Sequence, residues 1–170
     1  RMQRSAGDID AALGTLNGVP MHDLAKSGEI VSLVNTLWLQ GLSKRAKDIA
    51  YLATVLEPKE SASWIATADL KLSEGDPRAA REAVAEAIAV SANPNTLGVR
   101  RAVIAWMDND IDGALTYLRR LVRSDPGQGY PQWLYARIAD TEDRVDLVIG
   151  DLVTAEKLVG PDRMPYDFAA

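Results

Sequence analysis

The chain has 170 residues, of which 47% are hydrophobic and 25% charged, a composition typical of a folded protein and unlike that of a disordered chain. Its net charge of −5 argues against a phosphate-binding surface, so we do not expect nucleic acid as a partner. The absence of cysteine excludes disulfides and thiolate metal sites but leaves the compartment open between cytoplasm and periplasm. Because no apolar run approaches the roughly 20 residues that span a bilayer, we expect a soluble protein without direct membrane insertion.

The sequence predicts an all-α fold. Long segments rich in Ala, Leu, Arg and Glu carry apolar residues at three-to-four spacing, and alternating β-type runs are missing. One helix is predicted near 8–18, and four pairs of helices follow it. In chain order the pairs are 29–40 with 43–56, 62–73 with 77–91, 96–107 with 111–123, and 130–140 with 143–159. Prolines lie near the pair boundaries, where they end one helix or start the next: Pro20, Pro58, Pro94, Pro126 and Pro161.

Two series of residues recur with a period of 34. The first consists of residue types that accept the backbone conformation ending a helix: Gly7, Gly41, Gly75, Asn109 and Asp143. The second follows five positions later and consists of small residues: Ala12, Ala46, Ala80, Ala114 and Val148. Because both series share one phase, they indicate a repeated unit of two helices joined by a turn.

These residues resemble the tetratricopeptide repeat, a 34-residue pair of helices. Unit 61–94 matches that family best, with Trp64, Ala68, Gly75, Asp76, Ala80, Val84 and Ala87 at the family's positions. Unit 95–128 departs from it, with Gly98 where the early aromatic residue belongs, and the family's mid-helix tyrosine is absent throughout. The resemblance implies a right-handed α-solenoid of antiparallel helix pairs, and a non-repeat helical bundle stays open as the alternative.

The period divides the chain into units. They are 1–26, the C-terminal half of a preceding repeat; the repeats 27–60, 61–94 and 95–128; the divergent repeat 129–162; and a tail, 163–170. The 8–18 helix carries an apolar face without a partner helix, formed by Ile9, Ala12, Leu13 and Leu16. We therefore expect the chain to be part of a longer solenoid, and self-association through terminal repeat faces is a further option.

No catalytic or cofactor motif emerges from the sequence. His22 is the single histidine and has no second ligand that would make a zinc site. Asp108, Asp110 and Asp112 lack the remaining ligands of a calcium loop, so we interpret them as helix-capping residues. We expect no enzyme activity, no metal and no cofactor. Three basic clusters are interpreted as solvated helix faces: Lys44-Arg45-Lys47, Arg100-Arg101 and Arg119-Arg120-Arg123.

In tetratricopeptide arrays the first helices line a concave face, so the resemblance implies which positions bind a partner. We call positions that lie 34 residues apart on successive first helices a column. The columns on the concave face give the candidate partner-binding residues Asn35, Trp38, Asp69, Leu72, Val103, Trp106, Trp133 and Arg137. Trp38 and Trp106 could anchor a peptide, a helix or a sugar chain, or they could belong to the core. Basic and asparagine residues clamp a terminal carboxylate in some family members, but here only Asn35 and Arg137 match in type, and they lie at opposite ends.

The resemblance favours a non-catalytic protein-interaction scaffold that binds a partner peptide or helix in the concave groove. The alternative is a structural segment of a larger bacterial envelope or polysaccharide-export assembly, for which a polysaccharide partner is an option.

Overall fold

The computed structural model describes residues 21–90, 92–94 and 96–159. Within these ranges the chain forms nine α-helices and one short 3-10 helix and contains no β-strand, so the all-α prediction is confirmed there. The helices are α1 (Met21–Ser27), α2 (Glu29–Leu39), α3 (Ser43–Leu56), α4 (Ser61–Ser73), α5 (Pro77–Ala89), α6 (Gly98–Met107), α7 (Ile111–Ser124), α8 (Gly129–Thr141) and α9 (Ile149–Val159). The predicted helix 8–18 and the tail 163–170 lie outside the described residues. No helix in the described part is long and apolar enough to cross a membrane.

The predicted helix pairs correspond to α2 with α3, α4 with α5, α6 with α7, and α8 with α9. We call α2, α4, α6 and α8 the first helices and α3, α5, α7 and α9 the second helices. Two elements differ from the prediction. The helix α1 is additional, and the predicted helix 143–159 is divided into a 3-10 helix, Val145–Leu147, and α9. The division follows from the poor helix propensity of this stretch, where Val145, Val148, Ile149 and Gly150 come close together.

Four turns of the same geometry end the four first helices. Their central residues Gly41, Gly75, Asn109 and Asp143 have φ angles of 76°, 78°, 63° and 54°, the left-handed conformation. At each turn the next residue donates its backbone N–H to the carbonyl five residues earlier: Leu42 to Leu37, Asp76 to Lys71, Asp110 to Ala105 and Arg144 to Ala139, at 2.7–2.9 Å. This hydrogen bond closes the Schellman motif, which satisfies a carbonyl at the helix end. The prediction that these residues end helices is confirmed for all four.

Small residues in three of the second helices, and one residue just before the fourth, let neighbouring helices pack closely. Ala46, Ala80, Ala114 and Val148 are each 0% exposed. Every helix packs against the next one along the chain, and α2 with α4, α4 with α6 and α7 with α9 also make contact. The buried apolar residues therefore form a core that runs along the chain in three neighbouring clusters.

Ion pairs also repeat in register, each between a second helix and the turn that ends the next first helix. Lys47 Nζ lies 2.6 Å from Glu74 Oε1, and Arg81 pairs with Asp108 in the next unit. The hydrogen bonds from Lys47 and then Lys71 hold the pKa of Glu74 below its ordinary value. Of the three clustered aspartates, Asp110 caps α7 by accepting from Gly113 N at 2.9 Å.

Candidate partner-binding groove

The first helices line one open groove with a volume of about 640 Å³. Residues from all four first helices contribute, together with one residue from the loop before α6. They are Asn35, Trp38, Leu39, Asp69, Leu72, Ser73, Thr96, Val99, Arg100, Val103 and Tyr130. We call this surface the first-helix groove. Its volume falls within the range of ordinary ligand-binding clefts.

Three polar side chains on α2, α4 and α6 form a hydrogen-bonded row in the groove. Asn35 Nδ2 donates to Asp69 Oδ2 at 3.1 Å. Arg100 donates from Nε to Asp69 Oδ1 at 2.6 Å and from Nη2 to Asp69 Oδ2 at 2.7 Å. The side chains of Arg100 and Asp69 are only 23% and 14% exposed. Because two hydrogen bonds hold the Arg100 guanidinium against the Asp69 carboxylate, the two charges neutralise each other within the groove.

Apolar side chains make up most of the remaining lining. Trp38 and Leu72 are half-buried, and each packs against a core cluster as well as lining the groove. At the edges, Leu39 is 82% exposed and Tyr130 is 55% exposed. The groove therefore presents large apolar groups with unburied surface next to a charge-balanced polar row, which favours a ligand that inserts apolar side chains.

Five of the eight candidate residues line this groove: Asn35, Trp38, Asp69, Leu72 and Val103. The other three are not among the lining residues. Trp106 is half-buried against the core and donates its indole N–H to Glu142 Oε1 at 3.0 Å. Trp133 stacks on Tyr130 with ring centroids 5.8 Å apart. Arg137 is exposed and lies 3.7 Å from Asp140.

Sequence reasoning misses Arg100, and the interpretation of its cluster as a solvated helix face is wrong. Arg100 pairs with Asp69, and the neighbouring Arg101 donates to the Tyr117 hydroxyl at 3.0 Å and lies 4.5 Å from the centre of that ring. A search for opposite charges between successive first helices would find the pair with Asp69. For Thr96 and Tyr130 the sequence carries no comparable signal, because both residues precede the positions on the first helices that were considered as candidates.

Two residues of a second basic cluster, Arg119 and Arg123, are also paired, whereas Arg120 between them is exposed. Arg119 donates from Nε to the Tyr135 hydroxyl and to Asp151 Oδ2, each at 3.0 Å, and Arg123 donates to Asp151 Oδ1 at 2.8 Å. Burial raises the pKa of Asp151, but the hydrogen bonds from Arg123 and Tyr135 outweigh burial and hold that pKa below its ordinary value. These contacts join α9 to α7 and α8, so the residues stabilise the fold and lie apart from the groove.

The acidic side chains that the structure describes, together with the histidine, are not arranged as a metal site. Among the described residues, no group of three or more His, Asp or Glu side chains could hold a metal ion. His22 Nδ1 lies 3.0 Å from Glu57 Oε2. Asp108 and Asp112 form ion pairs with Arg81 and Arg144, so these two aspartates connect neighbouring units, whereas Asp110 caps a helix.

No protein-family model matches the chain, and no curated protein matches it. The resemblance to tetratricopeptide repeats therefore depends on the residues that repeat within the chain.

Proposed function

We propose that the chain is a non-catalytic scaffold of the tetratricopeptide type, and that its first-helix groove binds a peptide or helix of a partner protein. The observation that carries this proposal is the groove itself: four successive first helices contribute to one open surface with exposed apolar groups. A surface built across several helices suits an extended or helical segment better than a compact small molecule.

The repeated geometry supports an α-solenoid. The four left-handed turns have the same backbone hydrogen bond at an interval of 34 residues. The helices that pack are mainly nearest or next-nearest neighbours along the chain, as in an array where each unit contacts only the adjoining units. In such an array the first helices lie side by side, and the contacts of α2 with α4 and of α4 with α6 agree with this arrangement.

The groove also favours one kind of partner. Asp69 and Arg100 satisfy each other, so a charged ligand group would have to break this pair to gain a partner. Arg137, the cation that a carboxylate clamp would use, is not among the lining residues. A segment that places aliphatic or aromatic side chains against Trp38, Val103 and Tyr130 is therefore the best-matched ligand class.

A displayed random-peptide library tests the proposal. We expect the selected peptides to be enriched in aromatic and aliphatic residues, and their binding to fall about tenfold or more in Trp38→Ala and Val103→Asp, because hot-spot residues dominate such interfaces. Trp64→Ala is the matched control, since Trp64 is a tryptophan that is neither among the lining residues nor part of the stacked pair Tyr130–Trp133. Failure to select any peptide, or equal binding to the groove variants and the parent, would count against the proposal.

A further inference from the structure

The outermost helices of the first-helix groove each contribute an aromatic side chain to its lining. Trp38 lies near the end of α2 and Tyr130 near the start of α8, with α4 and α6 between them. Tyr130 is 55% exposed and stacks on Trp133 with the two rings inclined by 23°, so its ring is supported from one side. Rigid aromatic rings of this kind bind apolar groups at a low cost in side-chain entropy. We call Trp38 and Tyr130 the aromatic anchors.

No strand edge contributes to the groove, because its lining residues lie in four α-helices and one loop. Within an α-helix the backbone N–H and C=O groups bond mainly to each other. An extended ligand therefore cannot add a strand to a sheet, the mode in which main-chain hydrogen bonds provide much of the affinity. Hydrogen bonds between the groove and a ligand must come mainly from side chains.

The groove side chains have more unused donors than strong acceptors. The Asp69 carboxylate already accepts three hydrogen bonds, two from Arg100 and one from Asn35. Arg100 uses only two of the five N–H groups of a guanidinium. The indole N–H of Trp38 donates to no group in the described part of the chain and is not fully buried. The remaining side-chain acceptors are neutral oxygens such as the amide oxygen of Asn35, so the groove matches a ligand that accepts hydrogen bonds more than it donates them.

We propose that the partner segment in the first-helix groove is proline-rich and adopts the polyproline II conformation, an inference that rests on the proposed function. Proline has a backbone carbonyl but no N–H, so such a segment presents acceptors and brings few donors that need a partner. Its pyrrolidine rings pack on the aromatic anchors, as proline-rich peptides do in other aromatic-lined grooves. These rings are uncharged, so the ion pair between Asp69 and Arg100 stays intact. The polyproline II helix is largely formed before binding, which lowers the ordering cost.

The separation of the aromatic anchors sets the length of the segment. Neighbouring packed helices lie about 8–10 Å apart, so the three steps from α2 to α8 separate the anchors by up to about 30 Å. At about 3.1 Å per residue, a polyproline II segment of up to about ten residues reaches both anchors. An α-helix rises only about 1.5 Å per residue and would need about 20 residues for the same distance. We therefore expect a short extended peptide to contact both anchors.

A sugar polymer matches the groove less well, although sugar rings also pack on aromatic side chains. Each sugar ring carries several hydroxyl donors, and a buried hydroxyl without an acceptor costs free energy. The Asp69 carboxylate would be the strongest acceptor for these hydroxyls, but Arg100 and Asn35 already occupy it. The hydrogen-bonding groups of the groove thus favour the proline-rich segment.

A calorimetric titration of the full chain with acetylated and amidated decaproline tests the proposal. We expect saturable binding that falls about tenfold or more in Tyr130→Ala, because this variant removes one anchor. Tyr51→Ala is the matched control, since Tyr51 is a tyrosine that is 68% exposed and not among the lining residues. Decaproline made of D-proline is the ligand control, because it has the same composition and a helix of the opposite hand. No binding of decaproline, or equal binding by Tyr130→Ala and the parent or by the two peptides, would overturn the proposal.

The displayed peptide library separates the failure of this proposal from the failure of the proposed function. We expect the selected peptides to contain more proline than the starting library. If the peptides depend on Trp38 but are not enriched in proline, the groove binds peptides and the polyproline II proposal is wrong. If no peptide is selected and decaproline does not bind, both proposals fail. Binding of cellohexaose without binding of decaproline would assign the groove to a sugar polymer and would also overturn both proposals.

Discussion

Asp69 and Arg100 join two successive first helices through hydrogen bonds of 2.6 and 2.7 Å. The carboxylate of Asp69 also accepts from Asn35 on α2, so one acid connects three first helices. This connection fixes the positions of the helices that form the groove floor. Any ligand in the groove therefore meets a surface whose polar atoms are already oriented, which lowers the ordering cost of binding.

Removal of Arg100 should destabilise the fold. In Arg100→Met the half-buried Asp69 carboxylate keeps only the hydrogen bond from Asn35, and we expect a loss of about 1–3 kcal/mol in the free energy of unfolding. Urea denaturation measures this loss. Arg120→Met is the control, because Arg120 is exposed and forms none of the ion pairs in the described part of the chain. A loss no larger than that of Arg120→Met would mean that the ion pair contributes nothing to stability.

Glycine-to-alanine changes at two positions should have opposite signs. Gly75 has a φ of 78°, and nothing lies within 4 Å of the place where a Cβ would be. Backbone strain alone therefore opposes Gly75→Ala, which should cost about 1–2 kcal/mol. Gly150 lies within α9 and also has free space around it, so Gly150→Ala should add up to about 1 kcal/mol through better helix propensity. Thermal unfolding of both variants provides the comparison. Stabilisation by Gly75→Ala would contradict the role of this residue in the turn.

The repeated turns and buried small residues can be predicted because they follow local rules. A left-handed turn needs glycine, asparagine or aspartate, and a close helix contact needs a small residue, so Gly75 and Ala80 are recognisable in the sequence. Five groove residues can be found in the same way, because they share the register of the repeat.

The missed residues depend on tertiary geometry. The groove includes Thr96 and Tyr130, which lie near the beginning of α6 and α8, whereas Trp38 and Leu72 lie near the ends of α2 and α4. The groove thus crosses the helices diagonally, and a column of equivalent positions does not follow it. Arg100 looks solvated in the sequence because its partner Asp69 is 31 residues away, outside the 34-residue register.

Tryptophan quenching should separate the groove tryptophan from the others. The chain has four tryptophans, and Trp133, which is 39% exposed, should be the most accessible to acrylamide. Trp38 is half-buried but faces the open groove, so Trp38→Phe should remove a quenchable component. A matched Trp106→Phe variant removes an indole whose N–H is bonded to Glu142. If acrylamide does not quench Trp38 in the ligand-free chain, this side of the groove is closed, and Trp38 does not contact a partner as proposed.

The contacts of Asp151 should make stability sensitive to acid. The pKa of Asp151 in the folded chain lies below its ordinary value of about 4. The carboxylate therefore stabilises the fold at pH values above the ordinary pKa, and this contribution is lost as the pH falls through the folded pKa. Asp151→Asn should be less stable than the parent at neutral pH, and the difference should shrink toward low pH. Tyr135→Phe removes the hydroxyl that donates to the same carboxylate and accepts from Arg119, and the loss of these two hydrogen bonds should cost about 1–3 kcal/mol. Urea unfolding at several pH values measures both effects, and a pH-independent difference for Asp151→Asn would contradict this account.

The contact between His22 and Glu57 should make the pKa of His22 depend on the Glu57 carboxylate. The hydrogen bond to Glu57 and its negative charge raise the pKa of His22, and the contact joins α1 to the end of α3. Because the folded pKa is raised, this contribution to stability is fully present below the unfolded value of about 6.5 and is lost as the pH rises through the folded pKa. The single histidine makes its ring-proton NMR signals unambiguous. We expect Glu57→Gln to lower the measured pKa toward the ordinary histidine value, whereas the control Glu60→Gln should leave it unchanged. Identical titration curves for Glu57→Gln and the parent would show that the Glu57 carboxylate does not interact with His22 in solution.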